Sequence, residues 1–360
     1  MHDLFCSGVC TLVVKLVLHD YVLIQRLFNC TYLNAVINLF NYVYTDRKNK
    51  PSANFTPASL SRSEYSLSQK AAQMWCLIRA LPFLLSEKVP EGDKHMKLVI
   101  YLLRIMEIIL APKISRSLLP YLKCLIDDFF HHLKDLFPNF DWINKLHHLR
   151  HYAEVIEWSG PINQFNCFRF EGKFGEIKLR AQNVHNFKNP PKTLIRISQC
   201  TQALKWSNDN VKINRFEIIS SKDTSVDSTL SRTHLSNEFF HDEDQIIIAK
   251  SVALNGVEFK KYLFVVLETA TEGDDDLLLF GRIEEIIVLE ENNAFFLTSV
   301  CTTNYFDSDL HAYSISLNSV NDFSRFAEAS TLPYYKPLSF WTKVAPGSKE
   351  LYISLRHFIL

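Results

Sequence analysis

The spacing of apolar residues divides this chain into two parts. Up to about residue 205, apolar positions recur every three or four residues, which is the period of an amphipathic helix. Beyond about residue 245, apolar and polar positions alternate, and β-branched and aromatic residues become frequent. We therefore predict an α+β protein with an N-terminal all-helical domain, residues 1–205, followed by a small C-terminal antiparallel β-barrel or sandwich, residues 245–360. The segment 206–244, rich in Ser, Thr, Asp and His, is the predicted linker.

Within these parts, the same patterns place the individual elements. Asp93 follows a Pro-Glu-Gly turn and is a predicted helix N-cap, and Asn255-Gly256 is typical of a tight hairpin. The polar stretch 46–63, with Pro51 and Pro57, is a predicted surface loop. The predicted helices are 11–27, 32–44, 68–85, 93–110, 117–136, 142–158 and 170–184, and the predicted strands are 245–252, 257–267, 277–289, 294–302, 311–316, 336–342 and 351–358.

Composition and charge exclude several classes of protein. The 360 residues contain 39 Lys+Arg and 39 Asp+Glu, so this is not a polybasic protein that binds nucleic acid with its whole surface. Glycine occurs only 9 times, and neither GxGxxG nor GxxxxGK[ST] is present, which argues against a phosphate-binding loop. No small-molecule substrate is indicated. Charge is nevertheless segregated: residues 169–196 hold seven bases and two acids, and residues 258–291 hold ten acids and three bases.

The cysteines and the apolar N-terminus bear on the compartment. The eight cysteines are dispersed without a CxxC motif, which favours reduced thiols in an intracellular protein over a zinc ribbon or a redox site. The apolar run 12–28 is interrupted by Lys15, Asp20 and Arg26, so we predict no membrane span.

Two groups of residues could support metal chemistry. His147 and His151 are four residues apart on one helical face, which suits two ligands of one metal ion, but no third ligand is adjacent. Hydrogen-bonding histidines are the favoured alternative.

Glu171 lies among bases on a predicted helix and could hold a divalent metal ion that activates water. A local ion pair with Lys173 or Arg169 is the simpler interpretation, because such a site needs further carboxylates nearby.

A basic patch is the candidate for nucleic-acid binding. Bases at this density can follow a phosphate backbone, and asparagines among them can donate hydrogen bonds to phosphates or base edges. The alternative is a solvated face packed against the acidic β domain, and the sequence leaves both open. The residues concerned are Lys173, Lys178, Arg180, Lys188 and Lys192.

Short motifs along the whole chain carry a family resemblance. These motifs include DRKNKP at 46–51, QKAAQMWC at 69–76, KLHHLRHY at 145–152, FRFEGK at 168–173, NFKN at 186–189, FGRI at 280–283 and LYISLRHF at 351–358. In their order and spacing the chain resembles the transposases of CACTA (En/Spm)-type transposons in animal genomes, and specifically their C-terminal accessory part.

The resemblance implies a DDE-type DNA transposase, whose RNase H-like core binds metal ions through clustered carboxylates. Glu171 matches the last catalytic carboxylate of that family, while Cys6 and Phe174 stand where the family has Glu and His. The remaining carboxylates would precede Met1, so we expect a truncated, catalytically inactive remnant without a cofactor, since a divalent metal ion would require the full core.

Two alternatives to this expectation remain. The first is a domesticated module in the nucleus that binds DNA through the basic patch, or a chromatin protein through the β domain. The second and least favoured is an autonomous metal-dependent nuclease built on Glu171, His147 and His151.

Overall fold

The computed structural model describes residues 2–165, 167–184, 188–207, 216–221, 247–269, 277–288, 293–318, 324–344, 347 and 350–359. The predicted α+β class is confirmed, with helices in the first part of the chain and an antiparallel sheet in the second. The helices are α1 (His2–Phe5), α2 (Val9–His19, continued by a π-helical turn Asp20–Ile24), α3 (Cys30–Leu39), α4 (Pro57–Ser61), α5 (Ala71–Leu85), α6 (Lys94–Ile109), α7 (Leu119–Leu136), α8 (Asn144–Arg150), α9 (Tyr152–Ser159), α10 (Ile162–Phe165), α11 (Phe168–Asn183) and α12 (Pro190–Ser207).

The helical core forms around α2, α5 and α6, whose apolar residues are buried. The predicted cap at Asp93 is confirmed, because its carboxylate accepts hydrogen bonds from the N–H groups of His95 and Met96 at 2.8 and 2.9 Å. Gly8 precedes α2 at a point of close backbone approach, since a Cβ there would lie 2.2 Å from the carbonyl oxygen of Asp3. The predicted helix 142–158 is divided into α8 and α9 at His151.

The polar stretch 46–63 is not simply a surface loop, and that prediction is wrong for four of its residues. Asp46, Pro51, Phe55 and Leu60 are buried, and α4 lies within the stretch. Its end is held by the buried ammonium group of Lys15 in α2, which donates to the carbonyl oxygens of residues 62 and 64. The stretch is therefore packed into the fold through a few residues whose pattern has no helical or strand period.

The first helical segment is also the most apolar. By length and composition, the 23 residues from His2 to Ile24 could cross a membrane, but 67% of the most apolar window is buried inside the fold. The core helix of a soluble protein has the same properties. The absence of a membrane span stays a prediction.

The nine strands found in the described residues belong to one antiparallel sheet. Its main path runs β1-β2-β5-β6-β7-β9, with β3 on β2, β4 on β5 and β8 on β6. Among the described residues this path is open, so the sheet is not closed into a barrel, the first of the two predicted forms, barrel or sandwich. The strands are β1 (Phe216–Ser221), β2 (Ile247–Leu254), β3 (Val257–Lys260), β4 (Phe264–Glu268), β5 (Leu279–Val288), β6 (Ala294–Asp307), β7 (Ala312–Leu317), β8 (Ser324–Glu328) and β9 (Leu351–Ile353).

The predicted tight hairpin is confirmed, but the strand predicted after it, 257–267, is divided into β3, which pairs with β2, and β4, which pairs with β5. Asn255 and Gly256 join β2 to β3 with φ of 52° and 80°, the left-handed conformation that a tight hairpin requires. The predicted strand 336–342 instead forms only isolated bridges, at Leu338 and Trp341. The strand β1 lies inside the predicted linker 206–244, whose first two residues end α12. The remainder of the linker, 208–215 and 222–244, is outside the described residues. The domain boundaries stay a prediction.

Both faces of the sheet carry buried apolar side chains. Along β4, Phe264 and Val266 belong to one apolar cluster, and Val265 and Leu267 to another on the opposite face. The helical core reaches the sheet through Trp341, whose ring centroid lies 5.1 Å from that of Phe83 in α5. The helical and β parts therefore share one continuous apolar core at their junction.

Candidate functional site

The two histidines singled out by spacing do contact each other. The Nε2 atoms of His147 and His151 are 3.2 Å apart, so one can donate a hydrogen bond to the other, and Nδ1 of His151 lies 3.2 Å from Oε2 of Glu154. His151 is the C-cap of α8, which places both rings at that helix end. Within the described ranges, no three His, Cys, Asp or Glu side chains are arranged to hold a metal ion. These contacts fit the interpretation of His147 and His151 as hydrogen-bonding residues rather than metal ligands.

Glu171 has a different partner from the one expected. Its Oε1 atom lies 2.8 Å from Nε2 of His2, and both side chains are more than half exposed. Lys173 instead pairs with Glu176, one turn further along α11, at 3.0 Å. The expected pair with Lys173 is therefore wrong, and the side chain of Arg169 lies outside the described residues. Glu171, His147 and His151 do not converge, which removes the geometry that the nuclease interpretation requires.

The basic patch lies on a helical hairpin formed by α11 and α12. Arg180 joins the two helices, because its Nη1 donates to Oγ1 of Thr201 at 3.2 Å. Lys178 and Lys192 are exposed, and so is Arg196, which extends the patch on α12. Over the part of the chain that the structure describes, none of these last three pairs with a carboxylate.

The five predicted contact residues thus divide by role. Lys178 and Lys192 are available to a ligand, Arg180 holds the hairpin, and Lys173 is paired with Glu176. Lys188 is exposed two residues before α12 and takes part in an interaction of its own.

The hairpin also exposes large apolar side chains, which the helical period does not predict. Phe174 and Trp206 are 70% and 72% exposed, although the helical period would assign such residues to a core. Leu179, Ile195 and Leu204 are exposed as well. The hairpin therefore presents both cations and apolar surface, the combination found where proteins bind single-stranded nucleic acid or another protein.

The acids of the segment 258–291 that lie in the described residues form ion pairs with nearby bases. Glu284 lies 2.6 Å from Nε of Arg282, and Glu258 lies 3.1 Å from Nζ of Lys260. Glu268 pairs with Arg325. Six of the ten acids, at positions 272, 274, 275, 276, 290 and 291, lie outside the described residues.

Two clusters of charged side chains lie at the junction of the helical and β parts, and no pattern in the sequence predicts either of them. Glu107 in α6 and His311, between β6 and β7, bring Oε2 and Nε2 within 2.8 Å, and both side chains are largely buried. Asp46 lies between Arg79 and Arg356, with its oxygens 3.2 and 2.9 Å from their nitrogens. Periodicity carries no information about such pairs, because their members are 204 and 310 residues apart in the chain.

Comparison of the chain with protein families, with curated proteins and with solved structures found no match.

Proposed function

We propose that this chain is a transposon-derived, non-catalytic part of a DDE-type transposase, and that the α11–α12 hairpin binds DNA. The observation that carries the proposal is the set of exposed cations on the hairpin, Lys178, Lys192 and Arg196, which have no carboxylate partner among the described residues. Unpaired cations of this kind release counterions from a phosphate backbone when they bind it. Such a protein would act in the nucleus.

The exposed aromatic side chains refine the substrate class. Phe174 and Trp206 are on the same hairpin as the cations, and aromatic rings stack on unpaired bases of any sequence. A duplex offers stacking faces only at its ends, whereas a single strand offers one at every base. We therefore expect the hairpin to bind single-stranded DNA, or the frayed ends of a duplex, more tightly than the interior of a duplex.

The non-catalytic part of the proposal is supported by the position of Glu171. Strand transfer by two metal ions needs several carboxylates around the same ions, whereas Glu171 is exposed and contacts His2. A cleavage assay on plasmid DNA with magnesium or manganese tests this point. Cleavage by the purified chain that disappears in Glu171→Gln would contradict the proposal.

The DNA contact is tested by binding to short fluorescent single-stranded and duplex oligonucleotides over a range of salt concentrations. Each phosphate contact contributes about 0.9 to the slope of log affinity against log salt for duplex and about 0.7 for single strands. The variant Lys178→Ala, Lys192→Ala, Arg196→Ala should lose affinity and reduce the slope by up to about 2.7 or about 2.1, respectively.

The matched control removes the same charge elsewhere. Lys113, Lys123 and Lys134 are exposed cations that lie outside α11 and α12 in the chain, and their triple Ala variant should keep the wild-type slope. Equal slopes for the wild type and the hairpin variant would refute the DNA contact.

A second candidate is a domesticated protein-binding module, favoured by the exposed apolar side chains on the hairpin. Its test compares nucleosomes with naked DNA of the same length. A protein contact predicts tighter binding to nucleosomes that is lost in Phe174→Ser, Trp206→Ser and kept in the hairpin cation variant. The DNA proposal predicts the opposite sensitivity to the cation variant.

A further inference from the structure

A cleft lies at the junction of the helical and β parts, between α6 and the turn that joins β6 to β7. It consists of two adjoining cavities of about 390 and 520 Å³, which share Arg104, Phe306 and His311 as lining residues. Volumes in this range are typical of sites for small organic ligands. The cleft is separate in the chain from the α11–α12 hairpin.

One wall of the cleft is formed by a basic and aromatic face of α6. Lys97, Tyr101 and Arg104 recur at the spacing of one helical face and all line the smaller cavity. Arg104 donates a hydrogen bond to the hydroxyl of Tyr121, and its guanidinium lies 5.9 Å from the centre of that ring. Lys97 and Arg104 are exposed, and neither pairs with a carboxylate in the described part of the chain.

The two carboxylates of the cleft contact groups other than Lys97 and Arg104. Glu107 faces His311 at 2.8 Å, and Oδ2 of Asp309 accepts a hydrogen bond from the backbone N–H of Gly92 at 3.0 Å. Neither acid contacts Lys97 or Arg104, so the two cations of the cleft are exposed and unpaired among the described residues. They are therefore free to contact an anionic ligand, and hydrogen bonds between ionised groups are the stronger kind.

The opposite wall is aromatic and held in place. Phe306 is 40% exposed and packs edge-on against Tyr313, with ring centroids 4.9 Å apart. His311 has a positive φ of 52°, which is uncommon for a residue other than glycine. The turn before it is fixed by Asp307, whose Oδ1 accepts from the N–H groups of residues 309 and 310 at 3.0 Å each.

We propose that this cleft binds a small anion attached to a planar aromatic body, such as a nucleoside monophosphate. Arg104, assisted by Lys97, contacts the phosphate, and the ring lies against Phe306 and its aromatic neighbours. Arginine suits this role because its planar fork of N–H donors matches a phosphate group. The site does not depend on DNA binding by the hairpin.

The test is isothermal titration of the full-length chain with AMP, adenosine and inorganic phosphate. AMP should bind, and each half of the molecule alone should bind at least about tenfold more weakly, because each retains only one set of contacts. Arg104→Ala should weaken AMP binding by about tenfold or more, and Arg104→Lys should retain part of the affinity. Thermal unfolding of both variants verifies that the fold is intact.

Two further measurements separate the possible sources of the signal. The hairpin variant Lys178→Ala, Lys192→Ala, Arg196→Ala should bind AMP like the wild type, which separates this site from the proposed DNA contact. An oligonucleotide with a 5′-phosphate, compared with the same strand without it, shows whether the ligand is a free nucleotide or a strand end. Undetectable AMP binding, equal affinity for AMP and inorganic phosphate, or an unchanged affinity in Arg104→Ala would overturn the proposal.

Discussion

Replacing Asp46 by Asn should be among the most damaging single changes in this chain. The carboxylate is buried and lies between two guanidinium groups, Arg79 of α5 at 3.2 Å and Arg356, after β9, at 2.9 Å. One side chain thus joins a loop, a core helix and the C-terminal segment. Burial alone would raise the pKa of Asp46, but the attraction of the two guanidinium groups outweighs it and holds the pKa below its usual value.

The magnitude follows from the burial of the partners. The side chains of Arg79 and Arg356 are 6% and 17% exposed, so Asn would leave two poorly solvated cations without a counter-charge. Removing one partner of a buried ion pair costs about 3–5 kcal/mol, a large share of the about 5–15 kcal/mol by which domains are stable. Glu87→Gln is the control, because Glu87 pairs with Lys88 at the surface and should change stability by about 1 kcal/mol or less.

The pH dependence provides an independent check of the cause. A folded-state pKa below the unfolded value of about 3.9 means that the stabilisation is complete above that value and is lost as the pH falls through the folded pKa. The difference between wild type and Asp46→Asn should therefore be largest near neutral pH. It should shrink under acid conditions, because a protonated Asp resembles Asn.

The assay is urea unfolding followed by circular dichroism over a series of pH values. Combining Asp46→Leu with Arg79→Met and Arg356→Met removes every charge of the cluster and should recover much of the lost stability. A loss below about 1 kcal/mol in Asp46→Asn at neutral pH, or a loss that grows on acidification, would refute the electrostatic argument.

Two further predictions concern the sheet and the C-terminal segment. A Cβ at Gly281 would lie 2.8 Å from Cδ1 of Leu267 and 2.9 Å from Cβ of Thr298, so Gly281→Ala should cost about 1–3 kcal/mol in urea unfolding. Gly175→Ala, in open space on α11, should be neutral or stabilising, and equal effects would contradict the packing argument. Burial, aided by Arg356 and Arg79, lowers the pKa of Lys336 to about 8. Because the unfolded chain then binds the proton more tightly, stability should rise with pH from about 8 to about 10.4. Lys336→Met should be more stable than wild type near neutral pH, and a gain that persists above this window would show another cause.

Local patterns in the sequence were sufficient for the features that neighbouring residues determine. The cap at Asp93 and the hairpin at Asn255-Gly256 depend on a few consecutive residues, and both are confirmed. The contact between His147 and His151 follows from one helical turn in the same way. These interactions need no knowledge of the rest of the fold.

Features that depend on distant partners could not be predicted in this way. Glu171 contacts His2, which is 169 residues away, and Asp46 contacts Arg356 across 310 residues. The strand β8 was missed because its residues are neither clearly buried nor clearly exposed, so they do not alternate. Seven strands in about 115 residues are typical of a small barrel or sandwich, but an open path of six strands, with three more strands paired beside it, satisfies the same local pattern.

The two proposed sites depend on the fold in different ways. The junction cleft is lined by Arg104 and Glu107 from α6 and by Phe306 and His311 from the β part. Its shape therefore requires a fixed relative position of the two parts. This relative position is fixed by the ion pairs of Asp46 with Arg79 and Arg356 and by Trp341, which connect the helices to the C-terminal segment. The hairpin takes all its cations from α11 and α12 and needs only their mutual packing. Damage to the junction should therefore impair the cleft before it impairs the hairpin, which makes the two activities separable in one protein.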